Sequence, residues 1–257
     1  MNIRSTLISG AGNTFHIVWQ SEVTDRIEQK KISEAVCSKY LADGFIFLNN
    51  SGEMHNHYTW NFYNNDGSDA EMCGNATRCV GYFVKNILKN VSEPFFLKTA
   101  AGEIQINSQP QNLFEIQMTE IIELSHDKYF YCDTGVPHII IEFADFKNYK
   151  NYHDFCKNLR FHEDFLPRGT NVTLIFKTEN KDTVLAVSYE RGVEDFTLAC
   201  GTGAMAAAYY NFKKYNQTLT NVTMPGGSLL MNLQNLKKPI MTGPAILIGE
   251  YNYEHKI

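Results

Sequence analysis

Two stretches of this chain run in step, and that constrains the fold more than any other feature. The first carries Asp43-Gly44-Phe45-Ile46-Phe47-Leu48, Asn65-Asp66-Gly67-Ser68, Glu71-Met72-Cys73-Gly74-Asn75, a helical segment, and Thr99-Ala100-Ala101-Gly102-Glu103-Ile104. The second carries Asn171-Val172-Thr173-Leu174-Ile175-Phe176, Glu190-Arg191-Gly192, Leu198-Ala199-Cys200-Gly201-Thr202, a helical segment, and Met224-Pro225-Gly226-Gly227-Ser228. Phe45 stands 28 residues before Cys73, and Val172 stands 28 before Cys200. A Cys-Gly dipeptide alone is a weak signal and could recur by chance. Agreement in order and spacing over about 60 residues reads as a duplication, predicting two domains of similar fold that face each other across a cleft.

The local patterns predict the class. Short β-branched and aromatic runs bounded by turn residues read as strands, at 44–48, 58–62, 138–142, 173–176 and 184–188. Helices are predicted over 25–41, 75–89 and 203–214, the last two rich in small residues and each following a Cys-Gly pair. The mixture predicts an α+β fold of two pseudo-symmetric domains, each a curved, barrel-like sheet wrapped around a central helix.

Composition narrows function. With a net charge of −5 and no dense Lys/Arg block, nucleic acid is not expected as a partner. No apolar run is long enough for a membrane span, and the N-terminus does not read as a signal peptide, so a cytoplasmic enzyme is expected. Six cysteines in 257 residues, with no Cys-x-x-Cys, are expected to be reduced thiols rather than a disulfide scaffold or a zinc site. No metal is expected.

The Cys73 and Cys200 turns carry the chemistry. Small residues following a cysteine and opening a helix leave backbone N–H groups pointing outward, which suits a carboxylate. The same position favours a thiolate below the free value of about 8.5. Two such helix starts could grip one carboxylate and set a sulfur on either side of the adjacent carbon. One thiolate would remove the α-proton, the opposite thiol would return one to the other face, and the N–H groups would stabilise the anionic intermediate without a cofactor. The plainer alternative is two small buried residues closing helix starts, since free Cys is usually buried. Cys37, Cys79, Cys132 and Cys156 lack matching surroundings.

These blocks, taken in order, resemble the diaminopimelate epimerase family. The resemblance rests on Gly12-Asn13 with Phe15, Asn64 to Ser68, Cys73-Gly74-Asn75 with Arg78-Cys79, Glu190-Arg191-Gly192, Ala199 to Ala204, Pro225-Gly226-Gly227 and Met241 to Ala245. It implies Cys73 and Cys200 as the acid–base pair. Backbone N–H groups of Gly74, Asn75, Gly201 and Thr202 would hold the reacting carboxylate. Glu190, with the Arg191 backbone, would hold the ammonium group. Asn13, Asn64, Asn171 and the Arg191 side chain would recognise the distal amino-acid end, and His138 would support the site. It further implies an N-terminal domain of residues 1–118 completed by a strand at about 246–257, a C-terminal domain of 119–245, a homodimer, and no cofactor.

Plainer readings stand beside these roles. Asn13 and Asn64 could be turn-forming asparagines, Glu190-Arg191 a surface ion pair, and His138 a structural histidine. Several positions depart from the family pattern: Thr14 for Asp, Ala76 for Gly, Val136 for Asn, Phe196 for Glu, and Gly249 where some members have a Tyr at the dimer contact. Val136 and Phe196 bear on substrate. The expected reaction is the interconversion of LL- and meso-diaminopimelate. The alternatives are a same-fold racemase of another amino acid, such as histidine, and a dithiol redox or binding protein.

Overall fold

The computed structural model describes residues 2–52, 55–70, 72–176 and 178–254. The chain forms two compact units, Met1–Ile116 with Gly243–Ile257, and Gln117–Thr242.

In unit 1 the strands are β1 (Asn2–Gly10), β2 (Asn13–Trp19), β3 (Gly44–Asn50), β4 (His57–Asn64), β5 (Phe95–Thr99), β6 (Gly102–Gln109) and β7 (Leu113–Gln117), with β17 (Ile246–Glu254) added at the far edge. β17 pairs antiparallel with β1 and β1 with β2. The next pairs are β2/β3 parallel, β3/β4 antiparallel, β4/β5 parallel, and β5/β6 and β6/β7 antiparallel. Helix α1 (Arg26–Tyr40) covers β3 and β4, while α2 (Gly74–Tyr82) packs against β1, β2 and β6. With a helix on each face, residues of both parities along Phe45-Ile46-Phe47-Leu48 are fully buried. The ends of α1 follow from local chemistry. The Asp25 carboxylate accepts from Glu28 N at 2.9 Å, and Leu41 closes the last turn in the left-handed region.

Unit 2 repeats the plan. Its strands are β8 (Ile122–Leu124), β9 (Phe130–Asp133), β10 (Pro137–Phe143), β11 (Asn171–Phe176), β12 (Thr183–Glu190), the short β13 (Asp195–Phe196), β14 (Leu219–Met224), β15 (Gly227–Asn232) and β16 (Ile240–Pro244). From β9 onward the sheet runs antiparallel, parallel, antiparallel, parallel, antiparallel, antiparallel, the same series as from β1. Helix α3 (His153–Arg160) packs on one face of β11 and β12, and α4 (Gly201–Tyr215) on the other. Ala204, Met205, Ala206, Ala207 and Ala208 are all fully buried. A helix hidden on every side needs small side chains all round, which explains why α4 has no polar stripe near its start. The α+β class expected from the sequence is the class observed.

Candidate active site

Each unit presents a cysteine as the N-cap of its enclosed helix. In unit 1, Cys73 is extended (φ −144°, ψ 122°), and its carbonyl accepts from Thr77 N at 2.9 Å and Thr77 Oγ1 at 3.0 Å. Gly74 and Asn75 follow in the first turn, where backbone N–H groups have no partner within the helix. Asn75 Nδ2 donates to Asn13 Oδ1 at 2.7 Å, which joins the helix start to the β1–β2 turn. Asn64 lies at the end of β4 and serves its own turn, with Nδ2 donating to Ser68 Oγ at 2.9 Å. Cys73, Gly74, Asn75 and Asn13 therefore form one group, and Asn64 makes no described hydrogen bond to it.

In unit 2, Cys200 caps α4 with φ −118° and ψ 109°. Its sulfur accepts from Gly203 N at 3.3 Å and shares a hydrogen bond with Thr202 Oγ1 at 3.4 Å. Thr202 Oγ1 meets His138 Nε2 at 3.0 Å, His138 Nδ1 meets Thr173 Oγ1 at 2.9 Å, and Thr173 Oγ1 meets Ser188 Oγ at 2.9 Å. A polar chain thus runs from the cysteine into the core, beneath the helix start. His138 is fully buried, and burial, with the nearby Arg191 cation, lowers its pKa to about 3. It is neutral at physiological pH, held between the Thr202 and Thr173 hydroxyls.

Glu190, at the end of β12, accepts a hydrogen bond from Thr197 Oγ1 and interacts with the Cys200 thiol. Burial raises the Glu190 carboxyl above its ordinary value, against the opposing effect of its hydrogen bonds. Burial, and then the Glu190 charge, push the Cys200 thiol upward, and the Gly203 N–H and Thr202 offset only part of this. The expectation of a Cys200 thiolate stabilised by the helix start is corrected here. Desolvation and a neighbouring carboxylate outweigh the helix terminus, so Cys200 rests as a thiol.

Asn171 Oδ1 accepts from Arg191 N at 2.7 Å, and its Nδ2 donates to Pro137 O at 3.0 Å. Both ends of this amide hold backbone in place. Arg191 Nη1 is buried without a hydrogen-bond partner among the described residues. An unmatched buried guanidinium donor is costly, and an anionic ligand would satisfy it. Phe196 packs edge-on against Tyr149 and Tyr189, with centroids 5.2 and 5.7 Å away, so an aromatic cluster accounts for its departure from the family pattern.

Thr173 and Ser188 were not singled out in the sequence. The available signal was a hydroxyl within β11, whose six residues are all buried. Among the described residues no group of three or more His, Cys, Asp or Glu could hold a metal, and no helix is long and apolar enough to cross a membrane.

Comparison with known proteins adds independent findings. The family profile described as "Diaminopimelate epimerase" matches residues 6–122 and 130–248, one span in each half. A diaminopimelate epimerase of Hydrogenobaculum sp. (strain Y04AAS1) is 32% identical over 277 aligned residues, covering 97% of this chain and 98% of that relative. The diaminopimelate epimerase of Aquifex aeolicus (strain VF5) is 30% identical over 275, covering 95% of each. Among solved structures, a phenazine biosynthesis protein of the PhzF family from Enterococcus faecalis superposes with a TM-score of 0.77 at 13% identity, over 99% of this chain and 100% of that one. That last likeness speaks to the two-domain fold alone.

Proposed function

The chain belongs to the diaminopimelate epimerase family, and from that premise we propose how its own residues carry out the reaction. It is an isomerase that interconverts LL- and meso-diaminopimelate. The observation that supports the residue assignment is the repeated one: each half of the chain places a cysteine at the N-cap of its enclosed helix, where the first-turn N–H groups have no acceptor within the helix itself.

In this reading the N–H groups at Gly74, Asn75, Gly201 and Thr202 hold the carboxylate of the reacting centre. Cys73 and Cys200 meet opposite faces of its α-carbon. In the direction where Cys200 begins as a thiol, Cys73 takes the α-proton and Cys200 delivers one to the other face. The reverse reaction runs with the roles exchanged, and before another turnover in the same direction the two sulfurs regain their starting protonation by exchange with solvent. The substrate ammonium group lies against Glu190. Its positive charge offsets the carboxylate that otherwise disfavours a Cys200 thiolate, so binding readies the thiol for its turn as base. His138 holds Thr202 in register. Arg191, with its orphaned Nη1, takes the distal carboxylate, and Asn171 fixes the Arg191 backbone. Asn13 and Asn64 complete the distal site. A thiol held in its protonated form by burial and a carboxylate is poorly suited to thiol exchange, which disfavours the dithiol redox alternative.

No cofactor enters this scheme, and a cytoplasmic homodimer completes the proposal. Among the described strands β17 pairs only with β1, and Ile246, Leu247 and Ile248 are exposed along it, an edge that a second copy would cover.

The deciding experiment incubates the protein with LL-diaminopimelate in D₂O and follows the products by chiral chromatography and mass spectrometry, with histidine and lysine as parallel substrates. Conversion to the meso form with one deuterium at the inverted carbon is expected. Cys73→Ala and Cys200→Ala should each abolish it in folded protein. Turnover by either single variant would refute the two-base assignment.

A further inference from the structure

Helix α2 carries a fully buried arginine five residues after its capping cysteine. Arg78 Nη2 donates to Asn75 Oδ1 at 2.7 Å, Nη1 approaches Gly74 O at 3.4 Å, and Nε approaches Pro244 O at 3.5 Å. Burial lowers its pKa only to about 10, so the guanidinium remains a cation at neutral pH. Taking such a group out of water is expensive, and it persists in a core only where it has a structural or functional task.

The hydrogen-bond chain defines the task. A guanidinium has donors only, so the Asn75 atom that meets it must be the carbonyl oxygen. The Asn75 NH₂ is thereby aimed at Asn13, whose facing atom must in turn be its own oxygen, at 2.7 Å. What Asn13 has left to offer is its NH₂ group, and no described residue accepts from it. One unambiguous donor thus heads a chain in which both amides have a single consistent polarity. The contact needs close approach. A Cβ on Gly10 would lie 2.7 Å from Asn75 O and 3.0 Å from Cys79 Sγ, so only glycine lets the β1–β2 turn press against the start of α2.

Unit 2 lacks this device. Parallel register sets Phe15 opposite Gly44 and His138 opposite Asn171, so the duplication equates Asn13 with Val136, Asn75 with Thr202 and Arg78 with Met205. The polarity relay belongs to one half of the repeat only.

We propose that Arg78 is a positioning residue that locks Asn75 and Asn13 so that Asn13 presents N–H, never C=O, to an anionic oxygen of the substrate. This rests on the reading of Asn13 as a substrate-binding residue. It adds a determinant of charge selectivity that acts from inside the core, without touching substrate.

The test is a double-mutant cycle on turnover of LL-diaminopimelate, using Arg78→Met, Asn13→Ala and the pair. Methionine is what α4 carries at the equivalent buried position. Arg78→Met should raise KM about tenfold, the scale of one hydrogen bond to a charged group, with kcat within about twofold. In the Asn13→Ala background it should have no further effect. An undiminished effect in that background would overturn the proposal, as would a joint fall in kcat and melting temperature with KM unchanged. If Arg78→Met does not fold, Arg78→Lys takes its place in the cycle under the same criterion, with a smaller KM rise expected because one donor remains. A second readout needs no turnover. In ¹⁵N-labelled free protein, the Asn75 side-chain N–H facing Asn13 should be protected from exchange and should lose protection in Arg78→Met. If the wild type shows that pattern but leaves diaminopimelate untouched, the functional reading fails and the relay stands. If protection is the same in both proteins, the relay falls.

Discussion

Gly203→Ala tests how tightly the second cysteine turn is seated. Gly203 is the third residue of α4, and its N–H donates to the Cys200 sulfur at 3.3 Å. A Cβ added there would lie 2.0 Å from Ser188 Oγ, 3.1 Å from Thr173 Oγ1 and 3.2 Å from Ser188 Cβ. The first distance is about 1 Å inside what a carbon–oxygen contact allows, so the helix start or β12 must move. Overpacking of this kind costs about 1–3 kcal/mol, against a gain of up to about 1 kcal/mol from replacing glycine in a helix. A net loss of about 1–2 kcal/mol is expected, lowering the melting temperature by roughly 3–6 °C in a chain of this size. The larger effect falls on catalysis. A shift approaching 1 Å moves Cys200, Thr202 and the first-turn N–H groups together, and misplacement on that scale can cost about 10²-fold in rate. Ser188→Ala removes the oxygen that blocks the new methyl and leaves contacts at 3.1 and 3.2 Å. The double variant should therefore recover at least about 1 kcal/mol of coupling over the sum of the single variants. Thermal unfolding and the chiral epimerisation assay report the two quantities. Wild-type stability and rate for Gly203→Ala, or strict additivity with Ser188→Ala, would refute the packing argument.

Three further outcomes are expected. Glu190→Gln removes the charge that helps to push the Cys200 thiol upward, so the thiolate fraction at neutral pH should rise; the pH dependence of alkylation, read by mass spectrometry, should move to lower pH, and an unchanged or upward-shifted profile would contradict the assignment. His16 is buried among Tyr40, Phe45 and Tyr251 with its pKa lowered to about 4. Because the folded-state value lies below the unfolded one, its contribution is complete above about pH 6.5 and is lost as pH falls toward 4. Its loss adds a slope of about 1.4 kcal/mol per pH unit, which denaturant titrations at pH 7 and 5 should detect and His16→Gln should remove. Arg191→Ala should raise KM for diaminopimelate far more than for amino acids lacking a second carboxylate, and equal losses for both would remove the distal-end role.

Much of the fold was legible because duplication shows in spacing, and the structure explains why that spacing held. Phe45 pairs with Tyr63 and Val172 with Tyr189, so the first hairpin is one residue longer than the second. The run from Tyr63 to Cys73 is one residue shorter than that from Tyr189 to Cys200, which restores the interval. The Cys-Gly turns were legible as helix starts because small residues there have few other uses. The protonation of Cys200 was not legible, since it depends first on how completely the thiol is buried and then on Glu190 being folded back against it from a strand end ten residues away. The hydroxyl chain under α4 was hidden for a similar reason. Thr173 and Ser188 sit in buried strands where a β-branched or small residue suits the sheet equally well, and only pairing of β11 with β12 brings them together. Arg78 was visible as part of a motif, but its relay depends on contact between a helix and a distant turn.

The pairing of β17 with β1 has a consequence for synthesis. Asn2 lies opposite Glu254, so unit 1 cannot finish its sheet until residues 246–254 have been made, whereas unit 2 is contiguous in sequence. On the ribosome the later-encoded unit holds all its strands first, and the earlier one waits with an open edge for its final partner. Closing so long a loop adds little to the equilibrium cost but slows the last step. A transcript truncated before residue 246 would therefore release a molecule with one finished half and one exposed β1 edge, poised to pair with a neighbour.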